Sequence, residues 1–205
     1  MSRFSQAISE GDGISVIPVL EGHVEEFAAQ AEAAGAEAVA VAAVDLARAR
    51  LATTLPIIAR DGDPQTLSAA GADACILVFQ ALADEEDRLE SLYALARELD
   101  LDCAVDVRDA EELERALERI DPDIVVISER ELDRGEEDLE RTLDVLADVP
   151  AGKLVVSEAR VVVRDQVVAL ERAGVDAVLV QGLARPGSDF TAGLEELVRG
   201  SGAHR

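Results

Sequence analysis

KLVVSEARVVVRDQVVALERAGVDAVLV, residues 153–180, is one complete structural unit. Apolar Leu154–Ser157 reads as a strand, and Ser157 to Arg160 break it. Val163 to Ala173 then place apolar residues at helical spacing. Gly174 ends that helix, and Asp-Ala-Val-Leu-Val opens the next strand, Ala177–Gln181. The same unit recurs along the chain. Further strands are expected at Ile14–Leu20, Ala38–Val44, Leu55–Ala59, Ala74–Phe79, Asp102–Val107 and Ile124–Ser128. Helices are expected at His23–Ala34, Leu46–Ala52, Pro64–Ala70, Glu85–Leu99, Ala110–Glu118, Glu137–Leu146, Val163–Ala173 and Asp189–Arg199. The second, Leu46–Ala52, should be the shortest, because Asp45–Thr54 leaves little room.

Gly35, Gly71 and Gly174 each follow a helix and precede Ala or Val, an acid and a strand. That is the return loop of a parallel sheet. The strands are rich in Val, Ile and Ala without strict alternation, as strands covered on both faces are. Eight strand–helix pairs imply an α/β chain folded as a compact (β/α)8 TIM barrel, one domain over residues 1–205. In this fold the residues just past each strand carry the chemistry. The rival is an open doubly wound sheet. It would bring a glycine-rich phosphate loop after the first strand, where Gly22 stands alone.

Composition narrows the function classes. Of 205 residues, 49% are apolar and 2% aromatic, so the core is aliphatic. Forty-three acids face 19 bases, for a net charge of −24, and Lys153 is the only lysine. A surface this anionic repels nucleic acid and anionic membrane, and neither is expected as a partner. The acids concentrate on helix faces, as in DEEDRLE and DAEELERALE, which reads as a solvated outer shell. Acid excess with almost no lysine fits a halophilic or high-GC source. MSRFSQAISEGDG has no apolar signal core, and no apolar run reaches a membrane span, so a cytoplasmic location is expected. Cys75 and Cys103 fall inside strands and read as buried free thiols.

Several stretches, taken in order, carry a resemblance. These are LPIIARD (55–61), GADACILV (71–78), LARELDLDCAVDVRDAEELERAL (95–117), ISEREL (127–132), VVSEARV (155–161) and GVDAVLV (174–180). Together they resemble the indole-3-glycerol phosphate synthase family of tryptophan biosynthesis over roughly residues 55–181. The first 50 residues match poorly, and the barrel is expected to be without the family's extra N-terminal helix. The resemblance implies a lyase that closes an indole ring on a phosphorylated anilino-sugar. Two lysines serve that chemistry in the family. Here the first-strand position falls on Leu20 or Glu21, and the third-strand one is Arg60. Arginine stays charged but is a poor proton donor near neutrality. Lys153 begins the seventh strand, at the opposite end of the barrel.

Carried over residue by residue, the family's catalytic positions fall on Arg60, Asp106 and Glu158. Its substrate-binding positions fall on Asp61, Ser128, Arg130, Arg160, Gln181 and Gly182. Glu129 stands beside Ser128, and Ala159 and Arg160 replace a serine and the glycine of the phosphate site. Two readings stay open. One is a divergent synthase-like enzyme binding a phosphorylated or carboxylated small molecule among Arg60, Arg130 and Arg160, since arginine forks suit such anions. The other is a non-catalytic barrel that binds a ligand or a partner protein. Whether the rim arginines face an open mouth or are capped by carboxylates separates them. A protein partner or homo-oligomer also stays open. No cofactor is expected. Asp61, Asp106, Glu129 and Glu158 would offer oxygen ligands to Mg²⁺ or Mn²⁺, but so acidic a chain brings carboxylates to the rim by chance, and no metal is expected. His23 lies just past the first strand, where a base would stand, or in the first turn of the next helix. His204 belongs to the tail.

Overall fold

The computed structural model describes residues 3–11, 13–85, 87–128, 139–184 and 189–199. Its eight strands are β1 (Ser15–Leu20), β2 (Val39–Val41), β3 (Ile57–Ala59), β4 (Ala74–Val78), β5 (Asp102–Val107), β6 (Ile124–Ser128), β7 (Leu154–Glu158) and β8 (Ala177–Val180). Each pairs in parallel with the next, and β8 returns to β1 with Ser15 opposite Ala177 and Pro18 opposite Val180, so the sheet is a closed barrel. The helices are α1 (Arg3–Ser9), α2 (Val24–Ala33), α3 (Leu46–Ala52), α4 (Pro64–Ala69), α5 (Phe79–Leu82), α6 (Arg88–Glu98), α7 (Ala110–Arg119), α8 (Leu139–Leu146), α9 (Arg164–Ala173) and α10 (Phe190–Val198).

Alternation along the strands divides the core in two. Ile17, Val19, Ala38, Ala40, Ile58, Ala74, Ile76, Ala104, Val126, Val156, Ala177 and Leu179 fill the barrel interior. Their neighbours, such as Val16, Val39, Ile57, Cys75, Val105 and Val178, pack under the helices. Alanine at five interior positions lets the barrel close with no aromatic side chain from its strands. Gly174 has φ +100° and its N–H bonds back to Leu170 and Glu171, so the chain leaves α9 directly into β8. A side chain there would be strained, which explains the glycine. The joins at Gly35 and Gly71 turn the same way.

Several expectations need correction. A helix precedes β1: α1 sends Phe4 and Ile8 into the interior cluster and plugs the N-terminal end of the barrel. The Ser5 N–H bonds the Asp102 carboxylate at 2.7 Å, and Arg3 reaches Asp73, so the plug is anchored to strand starts. The expected strand to Val44 stops at Val41. Asp61 accepts from the Ala43 N–H at 2.7 Å and turns Ala43–Asp45 into a 3-10 turn. The helix expected over Glu85–Leu99 forms as α6, which begins at Arg88 after Asp87 at φ +55°, and an unexpected short helix, α5, follows β4 before it. The shortest helix is not α3. Both α5, with four residues, and α4, with six, are shorter than its seven. α3 completes its turns because Thr53 and Thr54, just past its end, are bound by the Glu32 carboxylate of α2. Among the described residues no helix is long and apolar enough to cross a membrane.

Candidate functional site at the C-terminal mouth

The interior alternation continues past the last apolar layer and decides which side chains enter the mouth. Two residues beyond Ile58, Ala104, Val126, Val156 and Leu179 stand Arg60, Asp106, Ser128, Glu158 and Gln181. Inward polar residues therefore come from β3, β5, β6, β7 and β8, and the barrel's closure makes them neighbours. Ser128 and Glu158 are register partners in the β6–β7 pair, while Asp106 lies between Val78 and Val126.

Glu158 is the centre of the cluster. Its side chain is 1% exposed and that of Arg60 is 21% exposed. Arg60 Nη2 donates to Glu158 Oε1 in a close ion pair across the barrel. Gln181 Nε2 donates to the same oxygen at 2.9 Å. The third-strand cation is thus capped by a carboxylate, and the amide from β8 completes the clamp. Asp106 is 2% exposed. The Ser128 hydroxyl and Arg60 Nε are buried with no hydrogen-bond partner among the described residues. A buried polar group in that state is costly, and a ligand atom would relieve it.

The remaining candidates lie around this floor. Asp61 is exposed, and its carboxylate holds the Ala43 turn. Arg160 is exposed just past β7, and no hydrogen bond or ion pair engages it among the described residues. Gly182 follows Gln181 with φ +80°. Arg130 and Glu129 lie outside the described residues. Of the two first-strand positions, Leu20 packs outward under the helices, so the alternation assigns the mouth to Glu21. His23 is exposed and immediately precedes α2. Lys153 lies at the far end, bonded to Asp121 at 2.6 Å, as its place at the start of β7 required. Among the described residues no three His, Cys, Asp or Glu side chains gather as a metal site needs.

One rim cation was missed in the sequence. Arg108 stands two residues past Asp106, so the same alternation pointed to it. Its guanidinium is held by Glu112 one turn into α7, at 2.6 Å. Chemically, the mouth offers a buried carboxyl at Asp106, a hydroxyl at Ser128, and arginines that bind anions but give up no proton near neutrality.

The comparisons with known proteins agree with this geometry. The family model for indole-3-glycerol phosphate synthase matches residues 20–197. An indole-3-glycerol phosphate synthase of Acidithiobacillus ferrooxidans is 42% identical over 140 residues, covering 66% of this chain and 52% of that protein. One of Verminephrobacter eiseniae is 39% identical over 140 residues, with the same coverage. The chain spans about half the length of the curated relatives it matches. Among solved structures, a mutant tryptophan synthase alpha-subunit from Pyrococcus furiosus superposes with TM-score 0.69 at 17% identity, covering 90% of this chain and 98% of that one. A thiamine phosphate pyrophosphorylase from Pyrococcus furiosus gives 0.68 at 18%, covering 92% and 95%. Those two likenesses show the barrel fold alone. The sequence matches go further, and by them the chain belongs to the indole-3-glycerol phosphate synthase family.

Proposed function

We propose that the chain binds a phosphorylated or carboxylated small molecule at the C-terminal mouth of its barrel and catalyses little or no indole ring closure. The observation that carries this reading is the Arg60–Glu158 ion pair. In the family resemblance the third-strand position holds a lysine that donates a proton. Arginine keeps that proton, and here its charge is already committed to a carboxylate. Arg160 remains exposed at the rim and can meet an anion with a forked donor pair. The orphaned Ser128 hydroxyl supports a ligand that reaches the floor. A net charge of −24 supports a small anion held at a local cationic point over nucleic acid or a membrane surface.

The capped state of Arg60 also favours a second reading, a barrel that binds without catalysis. Where the occupant of that barrel is a small ligand and not a partner protein, both readings share the ligand site and differ only in turnover. Calorimetric titration with indole-3-glycerol phosphate tests the shared part. Saturable binding is expected, and Arg160→Ala should weaken it by roughly 10-fold or more, as loss of a charge-assisted hydrogen bond of about 1.5–3 kcal/mol does. No saturable binding, or an unchanged affinity in both Arg160→Ala and Glu158→Ala, would move the working surface away from the mouth.

A further inference from the structure

The floor of the mouth holds two polar groups that the rest of the described chain leaves unanswered. The Ser128 hydroxyl and Arg60 Nε are buried with no hydrogen-bond partner among the described residues. Ser128 is only 1% exposed. Both groups are set beside one carboxylate. Ser128 is the register partner of Glu158 in the β6–β7 pair, and the Arg60 guanidinium donates to Glu158 through Nη2. Strand parity turns all three side chains into the barrel. Arg160, two residues past Glu158, stays exposed at the rim.

Floor and rim ask for different chemistry. An arginine Nε–H only donates, and a serine hydroxyl donates or accepts. Ligand hydroxyls answer both, because their oxygen accepts and their O–H donates. A carboxylate or phosphate oxygen also accepts, but its charge would arrive next to buried Glu158, which already holds the positive charge of Arg60. Like charges in a buried site are expensive. Buried Asp106, on β5 beside Ser128's strand, brings a second carboxyl to the same floor. At the rim the exposed Arg160 fork suits an anion.

We propose, resting on the anion-binding role given above, that the ligand is a polyol with a single anionic group. The anion stays at the rim on Arg160, and an uncharged, hydroxyl-bearing chain runs down to Ser128 and Arg60 Nε. Ser128 selects for the hydroxyl. Glu158 selects against a second anion at the far end of the ligand.

Calorimetric titrations of the full chain with three six-carbon phosphates test this. Glucitol 6-phosphate carries hydroxyls along its chain, and hexyl phosphate carries none. 6-Phosphogluconate ends in a carboxylate, so it brings an anion to the floor whichever way it enters. Glucitol 6-phosphate should bind tightest. Its lead over hexyl phosphate should be about tenfold, since each hydrogen bond gained is worth roughly 2–10-fold. Its lead over 6-phosphogluconate should be about tenfold or more, because like charges brought together are costly. Ser128→Ala should remove roughly 2–10-fold of the lead over hexyl phosphate and leave the affinity for hexyl phosphate itself unchanged. Glu158→Gln should improve 6-phosphogluconate relative to glucitol 6-phosphate. The ranking in the parent chain stands as a test even if a variant does not fold. Hexyl phosphate or 6-phosphogluconate binding as tightly as glucitol 6-phosphate, or an undiminished lead in Ser128→Ala, would overturn the polyol proposal and leave the anion-binding role standing. If none of the three binds saturably, the anion-binding role itself fails, and the polyol proposal with it.

Discussion

Replacing Arg60 by methionine should destabilise the barrel far more than an ordinary rim substitution. The change keeps much of the side-chain volume and removes the guanidinium from Glu158, whose side chain is 1% exposed. The carboxylate keeps the Gln181 amide at 2.9 Å but loses its countercharge across the barrel. Breaking a buried pair from one side costs about 3–5 kcal/mol. Arg60 is 21% exposed, so water reaches part of the vacated space and the lower end, about 3 kcal/mol, applies. For a chain of this size each kcal/mol lowers Tm by about 2–4 °C, so a fall of about 6–12 °C is expected by circular dichroism. Adding Glu158→Gln removes the stranded charge, and the double variant should recover most of the loss. If Arg60→Met moves Tm by less than about 2 °C, or Glu158→Gln gives no recovery beside it, the ion pair is not what holds the floor of the mouth.

Other outcomes follow from elsewhere in the fold. Phe4→Ala should cost about 3–5 kcal/mol, because Phe4 is fully buried and plugs the barrel interior, and a melt should show a drop of about 6–20 °C. Tm should rise from low salt to molar KCl, since cations screen a net charge of −24 over about 10 Å at 0.1 M, and a flat or falling midpoint would reject this. Burial raises the Asp176 carboxyl above its ordinary range despite the bond from the Val155 N–H. The folded state then binds more protons than the unfolded one, so Asp176 lowers stability as pH rises through that window and above it. Asp176→Asn should therefore be at least as stable as the parent at neutral pH, with any advantage shrinking as melts are taken toward about pH 4.

The sequence reached the fold through repetition of one unit, and β5 and β6 begin and end where the residue pattern places them. It stopped short where a distant side chain decides a boundary. β2 ends early because Asp61, in another loop, caps Ala43. α1 escaped notice because its helical signal is little more than Phe4 and Ile8, one turn apart in seven residues. Only the assembled barrel shows that they fill its end. At the mouth, strand parity already placed Arg60, Asp106, Ser128, Glu158 and Gln181 on one side of their strands. It could not show that Arg60 spends its charge on a carboxylate 98 residues away while Arg160 stays exposed. Those two arginines looked alike in the sequence, and closure of the barrel separates their roles.

The central claim is that a member of this family carries a mouth suited to binding and not to ring closure. The most direct measurement is a fluorescence assay for indole-3-glycerol phosphate, run at saturating substrate beside an authentic synthase. With Arg60 unable to give up its proton, a loss of about 10²–10⁴-fold is expected from the missing general acid alone. Turnover within about tenfold of the control would contradict the account, because Arg60 or another group at the mouth would then be supplying the proton.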